Sequence, residues 1–385
     1  TGLVETTAEK NTHGPVRRTE EIRAENKSKP YKKTKENAPK QGKPMKAIPF
    51  RRPTDSLSLS IEEWPEPKPG PTEILIEVKA FGLNFADIVA RKGQYEDAPR
   101  FPFVPGYEVA GIVKEIGSGV KGFKVGDEVL ALTLFNGYAE LAVADQRAAV
   151  KKPSNMSFAE AASVPVNFLT AYHSLFETGS LRKGAKVLIH AGAGGVGLAA
   201  IQMAVNHGCT IFATAGSEKK LELLSEFGVQ HPINYQKVDF EREVLRLTGG
   251  EKIDVVLDSI GGSYFKKDLN LLRAHGRVVA YGAAAFSERN IFNLPTLVPQ
   301  ILSMLTLSMI DLMLNSRGFY GVNMLRVAKE NPELMKDELA AIMADFSAKK
   351  LKTVISRQMS WKQIGDAHHL LESRSSTGKI VLMVD

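Results

Sequence analysis

Gly192, Gly194 and Gly197 occupy the first, third and sixth positions of a G-x-G-x-x-G phrase, spelled Gly192-Ala193-Gly194-Gly195-Val196-Gly197. The apolar run Lys186–Ala191 precedes it and a helical pattern continues to Asn206. In that setting the glycines let the main chain approach a pyrophosphate, and the helix N-terminus presents free amide N–H groups to its charge. The bland alternative is a tight strand-to-helix turn, and the βαβ-sized surroundings count against it.

The end of the next strand discriminates between dinucleotides. An NAD site places an Asp or Glu about 20 residues on, where it accepts a hydrogen bond from the ribose 2′-hydroxyl. Here the chain reads Thr214-Ala215-Gly216-Ser217, and the first acid is Glu218, followed by Lys219 and Lys220. Hydroxyl and ammonium groups attract a 2′-phosphate that a carboxylate repels. NADPH is therefore the expected cofactor, with one of the two lysines on a solvated helix face.

Other chemistry is thinly represented. A single cysteine, Cys209, excludes an internal disulfide and a multi-cysteine zinc site, and it fits a reducing, cytoplasmic setting. Its place at the head of a strand reads as packing. The eight histidines show no metal-ligand spacing, and His368 and His369 are adjacent, so they cannot share a helix face. Asp254 and Asp258 fall in one strand and read as loop caps. Ser163 and Ser174 lack a nucleophile elbow.

These residues need a scaffold of two kinds. From Ile74 to Val143, the alternating run "EILIEVKAFGLN", ending in a glycine-containing turn, and strand-like runs at Val109–Ile116, Glu128–Leu132 and Tyr138–Val143, with turns at Gly117–Gly119 and Gly126-Asp127, predict a β-rich, barrel-like unit. After Pro165, short strands at Lys186–Ala191, Thr210–Ala215, His231–Tyr235, Asp254–Asp258 and Arg277–Tyr281 alternate with helical stretches. That alternation predicts an α/β, doubly wound parallel sheet. A chain of 385 residues has room for both.

The net charge of +7 resides mostly in residues 1–44, where 11 Lys and Arg face 6 Asp and Glu. That basic segment lacks large apolar residues and reads as disordered, with folded structure starting near Met45. It has no glycine-arginine or aromatic pattern, so a nucleic-acid partner is not expected. The most apolar stretch, Leu294–Leu314, contains Pro295, Pro299, Gln300 and Asp311, which argue against a spanning helix. It reads as a pocket-lining or subunit-contact helix, with peripheral membrane contact as the competing assignment.

The phrases "GLNFADIVARKG", "PGYEVAGIV", "VGDEV", "AYHSL", "HAGAGGVG", "ATAGSEKK", "INY" and "LESRSSTGK" together resemble the zinc-free quinone oxidoreductase branch of the medium-chain dehydrogenases/reductases, from about Met45 to Val384. The zeta-crystallin-like and vesicle amine transport protein-like members are most similar. This resemblance implies a GroES-like catalytic domain over residues 45–166 and 317–385, and a Rossmann NADP-binding domain over 167–316. It places Asn84 and Asp87 at the nicotinamide and substrate cleft, and Thr170 and Gly282 at the nicotinamide. It also places Gly194, Gly195 and Val196 at the pyrophosphate, Gly216, Ser217 and Lys220 at the 2′-phosphate, and Tyr235 beside the adenosine. Arg374 matches an arginine near the cofactor in some relatives. A homodimer joined near Phe319–Asn323 is implied as well.

Two departures bear on chemistry. Many relatives carry a tyrosine where this chain has Val89, so a tyrosine proton donor there does not transfer. In zinc alcohol dehydrogenases a phrase similar to "VPGYEVAG" has a metal-binding histidine at the position of Tyr107, which reads here as packing, like Tyr95. The expected reaction is hydride transfer to a small acceptor that is electrophilic without a metal: a quinone or an α,β-unsaturated carbonyl. Asn84 is the expected stabiliser of the developing oxyanion, and Asp87 a structural hydrogen-bond partner. The alternative is a membrane-peripheral protein of the same fold with weak or no catalysis.

Overall fold

The computed structural model describes residues 43–282, 284 and 309–385. Residues 1–42 and 294–308, on which the basic segment and most of the apolar stretch fall, lie outside the described residues.

The β-rich unit is a seven-stranded sheet. Its path runs Ile355–Ser360, Lys379–Met383, Glu73–Gly82, Glu108–Ile116, Glu128–Leu132 and Ala149–Lys151, with Leu141–Asp145 also pairing to Glu73–Gly82. Glu73–Gly82 is bonded to three neighbours and is buried along most of its length despite its alternating sequence. The last strand expected in the first half begins later than its apolar pattern suggests, at Leu141. Tyr138 is drawn out of the ladder, its amide donating to Pro105 and its carbonyl accepting from Ile48.

The second sheet has six strands in the order His231–Asn234, Thr210–Ala215, Lys186–Ile189, Ile253–Asp258, Leu272–Ala280 and Gly318–Gly321, all parallel. Counted in chain order this is 3-2-1-4-5-6, the doubly wound arrangement that opens a crevice at the carboxyl ends of the first and fourth strands. The sheet extends past residue 317, because Gly318–Gly321 pairs with Arg277–Ala280. Buried Val, Leu, Ile and Ala on these strands pack against the helix Gly195–Asn206 and against Pro165–Tyr172, which leads into the sheet from the β-rich unit.

Asp254 and Asp258 act as loop anchors. Asp254 accepts from the Lys186 amide at 2.8 Å and Asp258 from the amides of Ile260 and Gly261. Cys209 is buried immediately before its strand.

Candidate cofactor and acceptor site

The strand Lys186–Ile189 ends in His190 and Ala191, the latter in the left-handed region at φ 50°. The Gly192 amide then donates to the Thr214 carbonyl, tying the turn to the second strand. Helix Gly195–Asn206 opens at Gly194 with no side chain capping its first turn, and the main chain there bridges to Gly378. A Cβ on Gly195 would lie 2.4 Å from the Asn167 side chain, and one on Gly197 would lie 2.6 Å from the carbonyl oxygens of Ala191 and Gly192. Close packing, with no need for positive φ, explains these glycines. Val196 is half-buried at the same turn.

At the second strand's end, Ser217 is exposed and makes no capping hydrogen bond for the helix Glu218–Glu226. Lys220, half-buried, donates to the Arg374 carbonyl at 2.7 Å, and burial lowers its pKa. A Cβ on Gly216 would meet the Tyr235 hydroxyl at 2.7 Å. Gly216, Ser217, Lys220, Tyr235 and Arg374 thus gather at one end of the crevice, while Lys219 is exposed. The nearest acid, Glu218, is engaged by Asn234 and Lys237.

The opposite end is a buried ionic cluster. Asn84 starts the helix Phe85–Arg91, and its amide N–H donates to Asp87 Oδ2 at 2.8 Å. The Asn84 carboxamide is held on both sides: Nδ2 donates to Glu108 Oε1 at 2.9 Å, and Oδ1 accepts from Lys379 Nζ at 2.6 Å. Lys379 and Glu108 form an ion pair. The other Glu108 oxygen accepts from the Val166 amide at 2.8 Å, at the entry to the helix Pro165–Tyr172 that carries buried Thr170. The residue before Lys379 reaches the glycine turn, the Gly378 amide donating to the Ala193 carbonyl at 2.9 Å. Gly282 lies against Ser259, just beyond the strand Leu272–Ala280.

Burial dominates the electrostatics here. Asp87, fully buried, is pushed up to about 7, its lost hydration outweighing the Asn84 amide. His368 is pushed down to about 3 by burial and by Arg91, so it is neutral. Its ring joins Tyr138 at 3.3 Å to Arg91 at 3.5 Å, and Arg91 pairs with Glu372.

Residues 70–173 match the alcohol dehydrogenase GroES-like domain, and residues 195–335 match the zinc-binding dehydrogenase domain. A synaptic vesicle membrane protein VAT-1 homolog from Danio rerio is 37% identical over 336 residues, 86% of this chain and 68% of that protein. The quinone oxidoreductase of Homo sapiens is 30% identical over 320 residues, 83% of this chain and 91% of that enzyme. The chain belongs to the medium-chain dehydrogenase/reductase superfamily, in its quinone oxidoreductase and VAT-1-like branch. Among solved structures of this superfamily, a mycobacterial protein complexed with NADPH superimposes with a TM-score of 0.77 at 28% identity, covering 88% of this chain and 99% of the other.

This oxidoreductase fold accounts for the placement of the predicted residues. The glycine turn and the Ser217–Lys220 segment follow neighbouring strands of the parallel sheet, while Asn84–Asp87 follows Glu73–Gly82 of the β-rich sheet and is tied to the turn through Lys379 and Gly378. Although one matching domain is described as zinc-binding, no three His, Cys, Asp or Glu side chains are grouped to hold a metal among the described residues. Sequence reasoning missed the pairing of Glu108 with Lys379. Each heads an apolar strand, "EVAGIV" and "KIVLM", and a charge at the head of a buried strand signals a partner elsewhere.

Proposed function

We propose that this chain is an NADPH-dependent, zinc-independent oxidoreductase that reduces a quinone or an α,β-unsaturated carbonyl compound. The observation that carries the reading is the convergence of Ser217, Lys220, Tyr235 and Arg374 beside a strand end without an unengaged carboxylate. Ser217 and Lys220 hold the 2′-phosphate, and the open amides after Gly194 take the pyrophosphate. Tyr235 flanks the adenosine, while Arg374 lies next to Lys220. Thr170, Gly282, Asn84 and Asp87 bound the nicotinamide end.

Bound there, NADPH supplies the hydride. The chain's own residues orient the reactants and exclude water, while the Glu108–Lys379 pair fixes Asn84. An acceptor whose carbonyl already draws electrons needs no Lewis acid. Two copies pair through the open edge of Gly318–Gly321 in this reading.

The test is NADPH oxidation with 9,10-phenanthrenequinone. Turnover with NADPH should exceed that with NADH, and Lys220→Ala should weaken NADPH binding by roughly 10- to 100-fold while leaving NADH binding nearly unchanged, the range for a lost charge-assisted hydrogen bond. A wild-type preference for NADH would refute the cofactor assignment.

A further inference from the structure

Asn84 was the expected donor to the acceptor's oxygen, yet its Nδ2 is committed to Glu108, leaving only a long 3.5 Å contact to the Gly82 carbonyl for the second N–H. One uncommitted donor lies immediately before Glu108. The Tyr107 side chain is 3% exposed, and its hydroxyl has no hydrogen-bond partner among the described residues. Leaving a buried hydroxyl unpaired costs about 1–3 kcal/mol, so its retention calls for an explanation beyond packing.

The placement of Tyr107 is built in. Gly106 takes φ 101°, and a Cβ there would lie 2.6 Å from the Tyr138 ring. The Tyr107 carbonyl accepts from the Thr133 amide at 2.7 Å, and Thr133 Oγ1 donates to the Gly106 carbonyl. Two aromatic neighbours cover the phenol: Tyr95, edge-on at 6.3 Å between centroids, and Phe135, tilted at 5.2 Å. Both are only half-buried, so two movable rings separate Tyr107 from the surface.

The chain itself locates this cage at the crevice, because Tyr107 directly precedes Glu108, whose Oε1 accepts from Asn84 at 2.9 Å. Burial raises the Tyr107 pKa, and its acidic neighbours Asp87, Tyr95 and Asp97 raise it further. Asp87 caps Asn84 at the nicotinamide end. Asp97 accepts from Asn323 at 2.6 Å and Arg326 at 3.0 Å, immediately beyond the last strand of the parallel sheet. Tyr107 is thus tied to the Asn84 cluster through Glu108 and, through its Tyr95 neighbour, to the segment that carries Asp97.

We propose that the Tyr107 hydroxyl donates a hydrogen bond to the carbonyl oxygen of the acceptor, a planar quinone or enone that enters by displacing the Tyr95 ring. The inference rests on the reading of the chain as an NADPH-dependent reductase. As the acceptor gains the hydride at its electron-poor carbon, the displaced electron pair settles on its oxygen, and the Tyr107 O–H stabilises that charge. A phenol held protonated by its surroundings is a poor acid, so the proton that completes the product comes from water and Tyr107 keeps its own. Tyr107 is then a catalytic residue that acts as an oxyanion donor.

Tyr107→Phe tests this because it removes only the unpaired oxygen. A packing role predicts equal or higher thermal stability and unchanged activity. The oxyanion role predicts equal or higher stability with kcat/KM for 9,10-phenanthrenequinone reduced about 100-fold, the scale for losing one such donor. NADPH affinity, measured by its fluorescence, should not change. A second arm needs no turnover: 4-nitrophenolate, a planar oxyanion, should bind the NADP⁺-loaded wild type roughly tenfold more tightly than the variant, followed by its absorbance. Equal nitrophenolate affinity, or undiminished quinone reduction in the variant, overturns the assignment. A wild type that binds NADPH and nitrophenolate but reduces no acceptor sinks the proposed reaction while the binding comparison still decides the role of Tyr107.

Discussion

Lys379 Nζ lies 2.6 Å from Asn84 Oδ1, and the two residues are 295 positions apart in the chain. Lys379 also pairs with Glu108, and all three side chains are buried. The final strand of the β-rich sheet thereby fixes a loop near its beginning, while Gly378 bonds to the glycine turn of the other sheet.

Removing one member of this pair should cost more than removing both charges. Lys379→Met strands the Glu108 carboxylate in a buried site, for which about 3–5 kcal/mol of destabilisation is expected. The double variant Glu108→Gln/Lys379→Met should recover a substantial part of that loss. Denaturant unfolding of the two single variants, the double variant and the wild type measures the coupling. Additive effects would mean that the pair acts as two independent packing residues.

Asp87 predicts a pH dependence of stability. Its folded pKa is raised from 3.8 to about 7, so the protonated form is favoured by folding. Below about pH 4 both folded and unfolded chains carry it neutral, and its contribution is fully present. As pH rises towards 7 the unfolded chain ionises first, and stability falls by on the order of 4 kcal/mol at most. Asp87→Asn, which keeps an oxygen for the Asn84 amide, should flatten this part of the profile. Parallel wild-type and variant curves from pH 4 to about 7 would show that the carboxyl is not held neutral by burial.

What the sequence revealed and what it concealed follow from the range of the interactions. The glycine turn was legible because strand, turn and helix signals lie within one contiguous stretch from Lys186 to Asn206. The turn at Gly216 and Ser217 was legible for the same reason, since it joins an apolar strand to a charged helix within one stretch. The Glu108–Lys379 pair, by contrast, is invisible in the sequence because the two residues are far apart in the chain. His368, dismissed as a metal ligand by its spacing, proved to be a neutral link between Tyr138 and Arg91, a role set by three separate elements. Tyr107 does pack, as its setting suggested, but whether a hydroxyl finds a partner depends on every surrounding loop.

The short helix Met309–Leu314 yields the last prediction. Met309, Ile310, Met313 and Leu314 are 68–81% exposed, an apolar face on a helix too short to anchor itself in a bilayer. No helix among the described residues is long and apolar enough to cross a membrane. A few residues on, Gly318–Gly321 forms the outer strand of the parallel sheet, with Tyr320 exposed. A strand edge without a partner among the described residues, next in sequence to an apolar helix, suits a second copy of the chain, which would pair the edge and cover the helix together. Met313→Lys with Leu314→Lys should therefore convert a dimer to a monomer in light scattering, without lowering the stability of the isolated fold. Flotation with anionic vesicles provides the contrasting measurement. A wild type that is already monomeric yet floats, and loses flotation in the double variant, would assign this face to a lipid surface instead.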